Sequence, residues 1–143
     1  SSLPDVIRYA DDIIFPYQPK QIVIYCGEND FAASDTVWVN TVYTRFVELF
    51  LLIRKKLPAI PVDYISMKPS PSRQSLMNKF DSANNLIKIF LKKKNLAAFI
   101  DVYHKMLNAD GTPIKDIFIE DDLHMNAIGY HIWQKIIKPY LLK

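Results

Sequence analysis

The sequence predicts an α/β fold in three layers, a parallel sheet covered by helices on both faces. Three observations carry this expectation. Apolar runs of strand length, residues 21–26, 62–67 and 97–102, alternate with amphipathic stretches of helix length. Alternation of this kind is resolved by parallel strands joined through right-handed helical crossovers. Half of the 143 residues are hydrophobic and 13% are aromatic, enough for one packed core in a single domain.

The elements follow in order. Ser2 caps a first helix, with Asp5 three residues on as the partner of a capping box. Val6, Ile7, Ala10, Ile13 and Ile14 keep a helical period until Pro16 and Pro19 stop it. The β-branched run 21–26 reads as a strand buried on both faces and ending at Gly27. Cys26 closes that run as a small buried hydrophobe, and a lone cysteine excludes an internal disulfide. After a loop through Phe31, Ala32 and Ala33, Ser34 or Asp35 caps a long helix. Its stripe is Val42, Phe46, Leu49, Phe50, Ile53 and Leu57, ended by Pro58 and Pro61.

Residues 62–67 form the second strand, and 68–73 a rigid loop in which Pro69 and Pro71 oppose helix. Leu76, Phe80, Ala83, Ile87, Phe90 and Leu91 mark the next helix, and 97–102 the third strand. Asn108, Ala109, Asp110 and Gly111 signal a turn. Asn126 caps the last helix, which carries Ile128, Trp133, Ile136 and Ile137.

Composition narrows the function. A net charge of +3 is too small to imply nucleic acid. The clusters Arg54-Lys55-Lys56 and Lys92-Lys93-Lys94 fall at helix C-termini, where they complement the helix dipole. The longest apolar run, 46–53, contains Glu48 and is too short to span a membrane. Gly27, Gly111 and Gly129 are the only glycines, so no phosphate-cradling loop or dinucleotide fingerprint is present and no cofactor is implied. His104, His124 and His131 show no ligand spacing, which argues against a metal.

Two stretches carry chemistry. Asp121-Asp122-Leu123-His124 has the wiring of a general base and its orienting carboxylate. Either Asp121 or Asp122 could supply that carboxylate. Gly27-Glu28-Asn29-Asp30 ends the first strand, and Asn29 reads either as a loop amide or as an oxyanion donor. In parallel sheets, sites form at the carboxyl ends of the strands, which places both stretches on one edge.

Together these blocks resemble those of the SGNH hydrolases, the GDSL-type esterases and lipases, and within them the platelet-activating-factor acetylhydrolase-like esterases. Residues 25–30 match the family's Gly-x-Asn-Asp block, and 121–130 its final Asp-x-x-His block with the following Gly-Tyr. Met125 stands where the family has proline. The resemblance implies a flavodoxin-like sheet, here cut to about three strands. It also implies Asn29 and Gly27 at the oxyanion site, His124 as base and Asp121 as its orienter. Asp30, Glu120 and Asn126 read as structural: a loop brace, a solvated charge and a helix cap.

The family's nucleophile belongs to an N-terminal Gly-Asp-Ser block that this chain lacks. Ser1 and Ser2 fit better after the family's second block, and no other serine lies on a strand-to-helix elbow. The expectation is therefore the C-terminal part of one esterase domain, residues 1–143, with a base and no serine. The opening residues show no signal peptide and read as the interior of a longer protein, which leaves the compartment open. The reaction class is hydrolysis of a small acyl ester of a lipid or carbohydrate. The alternative is a non-catalytic fragment binding a partner. Lacking its neighbour, strand 21–26 keeps an open apolar edge suited to self-association.

Overall fold

The computed structural model describes residues 2–142. Helix α1 (Leu3–Arg8) opens with the expected capping box, Ser2 and Asp5 each bonding the other's backbone. The helical run then divides, because Tyr9 at φ −102°, ψ 11° leaves the helical region before α2 (Ala10–Ile13). Three parallel strands follow in the order β1 (Ile22–Ile24), β2 (Val62–Ile65), β3 (Ala97–Ile100). Ile22 pairs with Val62, which pairs with Ala97. The strands are shorter than the apolar runs that signalled them.

Alternation along the strands serves two cores. Ile22, Ile24, Val62 and Tyr64 face α1, α4 (Val39–Lys56) and α5 (Met77–Lys92). Ile65 and Ile100 face α6 (Ala127–Ile137) with Val102, Met106, Ile117 and Trp133. The helix stripes face inward as their period requires: Val42, Phe46, Leu49, Phe50 and Ile53 on α4, and Phe80, Ala83, Ile87 and Leu91 on α5, are all buried. This is the three-layer αβα arrangement expected.

Other expectations need correction. β1 is not buried on both faces, since Val23 is 37% and Tyr25 41% exposed on the α6 side. Residues 31–33 are not loop but the end of a six-residue helix, α3 (Glu28–Ala33). Neither Ser34 nor Asp35 caps α4, which begins after Trp38 with no side-chain cap. The Ser34 hydroxyl instead accepts from the Thr36 N–H at 3.2 Å, a local turn that competes with capping. Ile128 lies on the exposed face of α6. The proline loop also contains a 3₁₀ stretch, Pro71–Leu76, which accepts proline in its first turn.

Two polar clasps close the sheet's amino-terminal side. The Arg54 guanidinium at the end of α4 donates to the carbonyls of Leu57, Ile60, Asn95 and Leu96, at 2.6–3.3 Å, gathering the turns before β2 and β3. The Gln21 amide donates to Asp63 Oδ2 and the Tyr140 carbonyl, each at 2.7 Å, and accepts from the Leu142 N–H at 3.0 Å. No helix among the described residues is long and apolar enough to cross a membrane.

Candidate active site

At the carboxyl edge of the strands the chain leaves β1 through Gly27. Its φ of +128° is a region L side chains rarely enter, and a Cβ there would lie 3.2 Å from the Met67 side chain. The Tyr64 hydroxyl, wholly buried, donates to the Cys26 carbonyl at 2.6 Å and fixes the turn. The turn delivers Glu28, Asn29 and Asp30 as the first turn of α3. Asp30 points inward: Oδ1 accepts from the Leu3 N–H at 2.9 Å and Oδ2 pairs with Arg45 at 2.8 Å. That is the brace expected of it.

The second block is a knot of short bonds. Asp121 Oδ1 accepts from the backbone N–H of Leu123 and of His124, each at 2.9 Å, while Oδ2 meets His124 Nδ1 at 2.5 Å. The bond from His124 first, then the two backbone donors, hold the Asp121 carboxyl down at about 2. With Nδ1 engaged, Nε2 is the ring nitrogen left for chemistry. Asp122 takes no part in orienting the ring; its φ of +54° makes the turn. An antiparallel bridge between Phe118 and Met125 ties the loop back on itself. Asn126 caps α6 by accepting from the Ile128 and Gly129 N–H groups. Gly129 answers to packing, because a Cβ there would lie 2.6 Å from the Ile117 carbonyl.

Gly27, Asn29 and His124 line one cleft of about 350 Å³, with Tyr25 and Trp133 stacked edge to face on one wall. The structure thus brings together the two blocks that lie about a hundred residues apart in sequence. No described serine lines this cleft. Ser66 is buried and its hydroxyl accepts from the Val102 and Tyr103 N–H groups. Ser70 is equally buried, and its Oγ has no hydrogen-bond partner among the described residues. Ser1 lies outside the described residues. Cys26 reaches the cleft, but burial pushes its thiol up to about 11, so it stays protonated at neutral pH.

Sequence reasoning missed three charged residues of the site. Lys68 is buried beside Glu28, with Nζ 3.7 Å from Oε1, and donates to the Leu123 carbonyl at 2.8 Å. Desolvation raises the Glu28 carboxyl and lowers the Lys68 ammonium, each opposed by the other's charge. Arg73 Nη1 donates to Asn29 Oδ1 at 3.1 Å. The available signal was two basic residues in a proline loop directly after a buried strand. Asp101 and His104 repeat the Asp-x-x-His turn, Nδ1 to Oδ2 at 2.7 Å, but His104 does not line the cleft.

By sequence, no family profile and no curated protein matches this chain. By structure it is similar to several esterases and lipases. A protein from Streptococcus pneumonia, provisionally assigned as a platelet activating factor, superposes with a TM-score of 0.85 at 18% identity. The match covers 99% of this chain and 69% of that one. A GDSL-like lipase from Bacteroides thetaiotaomicron gives 0.80 at 19% identity over 98% of this chain and 70% of that one. A family 3 carbohydrate esterase from Talaromyces cellulolyticus gives 0.79 at 15% identity, over 98% and 66%. The chain has the α/β fold of the SGNH, or GDSL-like, hydrolases.

Proposed function

We propose that these residues form the base and oxyanion half of a serine ester hydrolase acting on a small acyl ester of a lipid or carbohydrate. The observation that supports this best is that His124, bonded to Asp121, and Asn29 line one cleft at the carboxyl edge of a parallel sheet. His124 Nε2 takes the proton of an attacking serine and returns it to the leaving alcohol, while Asp121 keeps the ring in one tautomer. Asn29 Nδ2 donates to the oxyanion of the tetrahedral intermediate. A water activated by the same nitrogen then releases the acid. The nucleophilic serine is none of those described here, so these residues act as the C-terminal part of one such domain.

A fluorophosphonate probe tests this. The native protein labels, and His124→Ala lowers its esterase rate by at least ~10²-fold, the usual contribution of a general base. The 143-residue chain alone does not label above background. An unlabelled native protein, or an unchanged rate in H124A, ends the reading and leaves a non-catalytic role.

The outer edge of β1 carries a second part of the proposal. Val23 and Tyr25 are exposed beside it, and an apolar edge of this kind recruits another strand. The isolated chain self-associates there, so its sedimentation coefficient rises with concentration. A monomer at all concentrations, with the Ile22–Ile24 amides protected from exchange, would refute this.

A further inference from the structure

The proline loop between β2 and α5 does more than connect them. Its base is locked: the buried Asn84 side chain accepts from the Met67 N–H at 2.9 Å and donates to the Met67 carbonyl at 3.1 Å. Pro69 and Pro71 then restrict φ through the loop. From this fixed base three groups reach the two halves of the site. Lys68 Nζ donates to the carbonyl of Leu123, the residue just before His124, at 2.8 Å. The Ser72 N–H donates to the Asp122 carbonyl at 3.0 Å. Arg73 Nη1 donates to Asn29 Oδ1 at 3.1 Å.

The Arg73 contact decides an orientation. A guanidinium offers five donors and no acceptor, so the atom of the Asn29 amide that meets it is the oxygen. Nδ2 is thereby turned away from Arg73, left to donate elsewhere, and polarised by the neighbouring charge. Lys68 acts on backbone instead. Its ammonium is held by Glu28 Oε1 at 3.7 Å and lies 5.5 Å from the Phe118 ring centroid, so it has little freedom to leave the Leu123 carbonyl.

We propose that Lys68 and Arg73 are positioning residues: Arg73 sets the flip of the Asn29 amide, Lys68 anchors the Asp121–His124 turn, and their shared loop fixes the spacing between the two. The proposal rests on the esterase reading only for what is being positioned.

The test uses the isotopically labelled native protein and needs no turnover. Water exchange is followed at the Leu123 and His124 backbone amides, and the Asn29 side-chain amide by the separation of its two N–H resonances. Arg73→Ala frees the Asn29 amide to turn over, shifts those resonances and spares the turn. Arg73→Lys, which keeps one charged donor, restores most of the parent shift. Lys68→Met raises exchange at Leu123 and His124 roughly tenfold, as expected for loss of one hydrogen bond to a charged group, and spares Asn29. Because that variant leaves Glu28 buried without its partner, the double variant Glu28→Gln with Lys68→Met is measured beside it and shows the same opening of the turn.

An unchanged Asn29 amide in R73A overturns the Arg73 assignment. A turn that opens in K68M but not in the double variant overturns the Lys68 assignment. A uniform rise in exchange through β2 and α5 overturns both, since it shows general loosening. Failure of the native protein to hydrolyse esters removes the esterase reading and leaves these outcomes intact.

Discussion

Replacing Asp30 tests how the site's first block is bound to the rest of the molecule. Its side chain is fully buried and joins three helices, accepting from the Leu3 N–H of α1 and from Arg45 of α4 while standing in α3. Hydrogen bonds to a charged group contribute ~1.5–3 kcal/mol each. The Leu3 N–H is buried, so about 2 kcal/mol belongs to that bond. Arg45 is 31% exposed and regains water when released, which reduces its share to about 1 kcal/mol. Asp30→Ala therefore costs about 3 kcal/mol in all. With a urea m-value of ~2 kcal/mol/M, the unfolding midpoint falls by about 1.5 M. Asp30→Asn keeps an oxygen for Leu3 and loses the charge, so its shift is about half as large. Midpoints within ~0.3 M of the parent for D30A, or equal losses in both variants, would refute the brace.

Two further outcomes are measurable on the same chain. Asp121 is held at about 2 in the folded chain against an ordinary 3.8, so its contribution to stability is complete above pH 4 and disappears as pH falls from 4 through 2. Carbon-detected titration of its carboxyl should give a midpoint near 2, moving upward in His124→Ala; a midpoint near 4 in the parent would contradict the bonding described. Ser70→Ala removes a buried hydroxyl that has no partner among the described residues, so it should stabilise by ~1–2 kcal/mol. A lower melting temperature in S70A would show that the hydroxyl is satisfied after all.

Layer order, strand polarity and helix stripes were legible because burial imposes its period directly on sequence: every residue of the α4 stripe from Val42 to Ile53 is buried as its spacing demands. Edges were less legible. Val23 is as apolar and β-branched as Ile22 and Ile24, so the residue types within β1 do not tell which of its sides is covered. Short helices escaped for a related reason. α3 has six residues, a glycine at its start and no cap, so its existence depends on the Tyr64 clamp on the Cys26 carbonyl rather than on propensity.

At the site, Asp121 and His124 were readable because a turn of four residues encodes its own bond. Asp101 and His104 make the same bond, so the pattern specifies a turn, and only the fold tells which ring faces a cleft. Lys68 and Arg73 were hidden because their partners, Leu123 and Asn29, lie 55 and 44 residues away.

The Gln21 amide also bears on the order in which the molecule assembles. It joins residues separated by 119 and 121 positions, a contact that becomes affordable in entropy only after the sheet and α6 have brought the ends together. Nothing earlier in the chain waits on it. The tail is therefore the last segment to lock during folding and the first to open, and proteolysis near Leu141 and Leu142 would trim the chain without unfolding the sheet.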